Sequence, residues 1–96
     1  MNSQTIVMAT SNHVATEMSG ETVILNFTTG EYFGLDEVGA LVWKHIQQPV
    51  TIAALCDVIM AEYEVDADQC LADVQAMVSD LVTHQLATTQ SPETTT

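Results

Sequence analysis

Basic residues are nearly missing from this 96-residue chain: Lys44 stands alone against thirteen Asp and Glu, giving a formal net charge of −12. Affinity for phosphate backbones comes from Lys and Arg displacing counterions, so nucleic acid is a poor partner. Anionic membrane surfaces are disfavoured for the same reason. The charge favours a cationic partner, or serves solubility. Cysteine is scarce too. Cys56 and Cys70 form neither a C-x-x-C pair nor a dense framework, and read as reduced core thiols of a cytosolic protein. No run approaches eighteen apolar residues and no basic segment precedes a hydrophobic one, so neither a transmembrane helix nor a signal peptide is expected. The four glycines form no phosphate-cradling loop. With 47% hydrophobic residues, the chain can nevertheless support one modest core.

What is present is organised around the stretch from Thr28 to Trp43. Thr28-Thr29-Gly30 predicts a hairpin turn with Gly30 in the left-handed position. Glu31 to Leu35 is a short aromatic strand, and Asp36 is placed to cap a helix that begins immediately after it. Before this stretch the chain reads as strand. Thr5 to Thr10 has β-compatible composition but alternates poorly, and residues 1–11 are read as an N-terminal arm or frayed strand in which Thr5 to Thr10 forms either a frayed arm or an extra strand. His13 to Met18 alternates better, Ser19-Gly20-Glu21 signals a turn, and Thr22 to Thr28 is the clearest strand, with Val23, Leu25 and Phe27 on one face and Ile24 as the exception.

After the stretch the chain reads as helix. The first helix runs from Glu37 to about Gln48, with Val38, Leu41, Val42 and Ile46 at helical spacing. Gly39 within it implies close approach of a neighbouring element, since glycine costs about 1 kcal/mol relative to alanine there. Pro49 ends this helix and Thr51 caps a second, with Ile52, Leu55, Cys56 and Ile59 as its stripe. Asp66 with Gln69 resembles a capping box opening a third, whose core stripe is Leu71, Val74, Val78, Leu81 and Leu86. Residues 88–96 form a Thr-rich tail expected to be disordered. The expected architecture is α+β, a three-stranded antiparallel sheet followed by three helices, in which the last two helices and the sheet suit a winged helix-turn-helix.

No catalytic constellation is present. His13, His45 and His84 lie on different elements and match no metal spacing; no metal or other cofactor is expected, and the chain is read as non-enzymatic. An acyl carrier would need a serine opening a helix in an Asp-Ser-Leu context, whereas Val78-Ser79-Asp80-Leu81 has the wrong order and lies mid-helix. A winged-helix transcription factor would need cations that the third helix lacks. Recognition of a polypeptide remains: a short strand with an unpaired edge can accept an extended chain, with Tyr32 and Phe33 offering pockets and the third helix forming the other wall.

Gly30-Glu31-Tyr32-Phe33-Gly34-Leu35-Asp36, followed by Gly39, Val42-Trp43, Asp73-Val74 and Leu81, resembles the PqqD-like family, the recognition elements of ribosomally made, post-translationally modified peptides. The resemblance covers residues 12–87. It implies a non-catalytic domain that binds the leader of a precursor peptide as an added strand and delivers it to a modifying enzyme. The binding residues it implies are Glu31, Tyr32, Phe33, Gly34 and Leu35 on the strand, and Asp73, Ala76, Met77, Asp80 and His84 on the last helix. The wording is most similar to the stand-alone partner of lasso-peptide biosynthesis, which serves a leader peptidase; the alternatives are a partner of a radical-SAM enzyme, as in pyrroloquinoline quinone biosynthesis, and an acidic domain regulating another enzyme. A cytoplasmic monomer is expected. Relatives commonly carry Arg and Lys on the sheet and helices, so contacts made by those cations do not transfer.

Overall fold

The computed structural model describes residues 1–18 and 21–91. The turn expected at residues 19–20 and the last part of the tail, residues 92–96, lie outside them. The chain folds as α+β, and the described residues form three helices and two three-stranded antiparallel sheets. In chain order the elements are β1 (Ile6–Ala9), β2 (His13–Met18), β3 (Glu21–Asn26), β4 (Tyr32–Leu35), α1 (Glu37–His45), β5 (Val50–Thr51), α2 (Ile52–Glu62), α3 (Ala67–Thr83) and β6 (Ala87–Gln90).

The local signals that begin elements act as their chemistry dictates. Asp36 accepts from the Gly39 amide at 2.9 Å, Thr51 from Ala54 at 3.1 Å and Asp66 from Gln69 at 3.2 Å, each satisfying a first-turn N–H that has no partner within its helix. The box at Asp66 is one-sided, because the Gln69 amide reaches forward to Asp73 at 2.8 Å instead of back to the cap. Gly30 adopts φ +76°, as the three-residue turn requires. Gly39 is buried where a Cβ would stand 3.1 Å from that of Leu35, so the start of α1 lies directly on the end of β4.

Several expectations are corrected or decided. The three strands before the helices do form one sheet, β2-β3-β4, but a second sheet, β5-β1-β6, draws its strands from both ends of the chain and from the α1–α2 connection. Of the two alternatives for residues 6–9, a frayed arm or an extra strand, the structure has the strand, which is central in this sheet, and Val7 is fully buried. Thr88 to Gln90, expected as disordered tail, pair in β6 with Ile6 to Met8. Along β3 the buried residues are Thr22, Ile24 and Asn26, while Val23 and Leu25 are partly buried on the opposite face and Phe27 is exposed. In α3 the buried stripe is Cys70, Val74, Val78 and Leu81, with Leu71 only half-buried.

The inverted face of β3 has a cause in the hairpin. Asn26 is 2% exposed; its Oδ1 accepts from the Thr28 and Thr29 amides at 2.8 and 3.2 Å, and its Nδ2 donates to the His84 carbonyl at 2.8 Å. Once Asn26 points inward, the two-residue period of a strand sends Ile24 inward as well. Ile24 and Leu35 then meet Val42, Trp43 and Ile46 of the first helical segment and the inner stripes of α2 and α3 in one core. Each such aliphatic side chain contributes about 1.5–3 kcal/mol when fully buried.

Candidate peptide-binding groove

Strand β4 is an edge strand. The Asn26 amide donates to the Glu31 carbonyl at 2.9 Å, and the register pairs Ile24 with Phe33 and Thr22 with Leu35. In an antiparallel ladder hydrogen-bonded residues alternate, so Glu31, Phe33 and Leu35 turn their backbone groups to β3. Tyr32 and Gly34 turn theirs to the open edge. Beside this edge lies a groove of about 470 Å³, walled by Phe33, Leu35 and Asp36 on one side and by Met77 and Asp80 of α3 on the other, with Gly39 also lining it. Met77 also lines a smaller, mainly apolar hollow of about 130 Å³, bounded by Val38, Ile59, Val65 and Val74 with Asp73 at its rim.

The residues singled out in the sequence separate into three groups. Phe33, Gly34, Leu35, Met77 and Asp80 converge on the groove, and Asp73 lies on the adjoining hollow. Glu31 and His84 come together at the hairpin end: the His84 ring is 3.6 Å from the Glu31 carboxylate and its centroid is 4.9 Å from that of Phe33. Tyr32 and Ala76 stand apart from the groove. The Tyr32 side chain is 74% exposed and lies on the outer face of the sheet with Val14 and Leu25, so its share in the groove edge is its backbone alone. Ala76 is exposed and lines neither cavity. Sequence reasoning missed Asn26, which fixes the β3–β4 turn to the end of α3; a polar residue in register with Ile24 was the available signal. It also missed Val38 and Val65, whose place in the hollow depends on how three helices meet.

The groove is acidic. Asp36, Asp73 and Asp80 line it or its hollow, while Lys44 lies on a different cleft. Burial, and then the neighbouring Cys70, push the Cys56 thiol up to about 11, so at neutral pH it stays protonated and a poor nucleophile. Among the described residues no three metal-ligating side chains gather, and no helix is long and apolar enough to cross a membrane.

Fold and groove define a small α+β domain with an open strand edge set against a helix. Residues 21–87 match the family model of coenzyme PQQ synthesis protein D (PqqD), and the chain belongs to the PqqD family. Its structure is similar to that of TbiB1 in complex with the TbiA(beta) leader peptide, with 30% sequence identity and a TM-score of 0.78 over 83% of this chain and 93% of that one. It is also similar to a lasso peptide synthetase B1 complexed with the leader peptide, at 22% identity and a TM-score of 0.77 over 85% and 96% of the two chains. No curated protein sequence gives a significant match.

Proposed function

We propose that this protein is a non-catalytic recognition element that binds the leader of a ribosomally made precursor peptide as a fourth strand on β4 and delivers it to a modifying enzyme. The observation that carries the proposal is the open edge at Tyr32 and Gly34 beside the groove. Main-chain bonds to those two residues would supply register-specific affinity, and inward side chains of the leader would enter the groove and its apolar hollow. The leader-bound state of TbiB1 supports the reading. The similarity to a lasso peptide synthetase B1 is in keeping with lasso-peptide biosynthesis, for which we take a leader peptidase as the enzyme served, and the PQQ-synthesis description of the family is in keeping with the second reading, a radical-SAM partner. In this view α2 and α3 form the helix-turn-helix, the β2–β3 hairpin forms the wing, and the protein works in the cytoplasm.

The direct test is amide hydrogen exchange with and without a synthetic leader peptide. Binding should slow exchange at Tyr32 and Gly34, the amides aimed outward. If protection appears on α3 but at neither of these amides, strand addition on β4 is wrong.

Charge should act on the rate of encounter. With Asp36, Asp73 and Asp80 about the groove, the leader is expected to carry Lys or Arg opposite them. Exposed pairs contribute only about 0–1 kcal/mol each, so apolar contacts supply most of the affinity. Raising salt from about 0.05 to 0.5 M shortens the screening length about threefold. Association should then slow severalfold in stopped-flow measurements while dissociation changes little, and the pair Asp73→Asn with Asp80→Asn should remove most of the difference. Salt-independent association of the wild type would leave the acidic groove without a part in recognition.

A further inference from the structure

Among the described residues the β2-β3-β4 sheet has a second open edge. We infer that the edge of β2 is a docking site for an extended, basic and apolar segment of the enzyme that modifies the precursor, so that leader and enzyme occupy opposite edges of one sheet. The inference rests on the leader-binding reading above.

The Phe27 amide donates to the Asn12 carbonyl at 2.9 Å, and the β2–β3 register continues as Val14 with Leu25 and Thr16 with Val23. Alternation therefore turns the backbone N–H and C=O groups of His13, Ala15 and Glu17 away from β3, toward the unpaired edge. At six residues β2 is longer than β4, which has four. Exposed edges are usually guarded by lysine, proline or brevity; β2 contains neither lysine nor proline and carries Glu17 alone as a charge.

The inner side of this edge opens on a cleft of about 510 Å³ against α1, floored by Ala15, Leu41 and Trp43 and rimmed by Glu17, Glu37 and Glu62, with Lys44 the one cation beside it. The arrangement parallels the β4 groove, an open strand edge facing a helix across an apolar floor. It selects a chain segment whose inward residues are apolar and whose flanks carry Lys or Arg. A second copy of this chain fits poorly, because it would bring a further charge of −12 to an acidic rim. The precursor leader already has its edge on β4. An enzyme that must act while the leader stays bound needs a contact that does not overlap it, and the β2 edge lies two strand spacings away, roughly 10 Å.

The test uses full-length protein saturated with a synthetic leader peptide and titrated with the purified leader peptidase of the same pathway, leader affinity being measured separately by fluorescence anisotropy. Ala15→Pro removes an outward N–H that the sheet does not use, and proline is tolerated on edge strands. It should weaken binding of the peptidase at least tenfold and leave leader affinity unchanged within twofold. Glu17→Lys with Glu62→Lys, two exposed positions, should do the same without touching the backbone, which keeps the test decisive if the proline variant fails to fold. Full peptidase affinity in a folded variant of either kind overturns the inference. So does a wild-type dimer that Ala15→Pro dissociates, since the edge would then serve self-association. A wild type that binds leader but no peptidase overturns this inference alone, and one that binds neither overturns the leader-binding reading as well.

Discussion

Gly34→Pro should lower leader affinity by about 100-fold while leaving the domain folded. The Gly34 N–H faces the open edge of β4, so proline there removes a donor that only an added strand would use, and places its ring where that strand must approach. A lost hydrogen bond is worth about 0.5–1.5 kcal/mol. The steric conflict adds to it, and about 2.7 kcal/mol in total corresponds to the hundredfold. The protein itself has room for the change: no atom comes within 4 Å of a Cβ built at Gly34, and its φ is not left-handed, unlike that of Gly30. Phe33→Pro makes the contrast, because the Phe33 amide is directed to Ile24 within the sheet. That variant should lose stability in urea denaturation as well as binding. A Gly34→Pro protein with wild-type melting and wild-type leader affinity would rule out pairing at β4.

Asn26→Ala should destabilise the domain by about 2–4 kcal/mol, a large fraction of the stability of a chain this size. Truncation deletes bonds to the Thr28 and Thr29 amides, to the His84 carbonyl and to the Asn12 side chain, at a site that is 2% exposed. Some of these partners are then left without a bond in a part-buried setting, which costs more than the bonds themselves contributed. Asn26→Asp separates the two halves of this role. A carboxylate can still accept from Thr28 and Thr29, but in place of the Nδ2 donor it presents an oxygen to the His84 carbonyl. The folded state therefore favours the protonated acid, whose pKa rises above its unfolded value. Stability of the aspartate variant relative to wild type should be best below about pH 4, where the acid is protonated in both states, and should fall as pH rises through the higher folded-state pKa. Urea midpoints for wild type and variant across that range decide it. A pH-independent difference would mean that the contact with His84 contributes little.

Legibility in the sequence followed the range of the interaction. Asp36, Thr51 and Asp66 were readable as caps because a cap needs only the next three residues, and Gly30 because its turn is equally local. Gly39 was readable because a glycine inside a helix demands a close neighbour, here Leu35. β1 stayed undecided between arm and strand, since Val7 is its one fully buried side chain and its partners lie 43–45 residues away in β5 and 78–84 away in β6. The inward face of β3 was misread because Val23 and Leu25 offer more apolar surface than Thr22 and Asn26, and only the Asn26 network reverses the choice. The strand and helix of the groove could be named from sequence. Which side of the sheet Tyr32 occupies depended on that same inversion.

The central place of β1 bears on the order in which the chain folds. The β2-β3-β4 meander and the α2–α3 pair are made of near neighbours in sequence, whereas β1 joins Ile6 to Gln90. Closing so long a loop carries an entropy cost that grows with its length, and the contacts that offset it exist only after both ends have arrived. The second sheet should therefore act as a latch that fastens late, after the meander and helices have met. Unfastening it would expose Val7 and Ala87 while the β2-β3-β4 meander keeps its own ladder. The two ends of the chain would then fray together before the groove is lost.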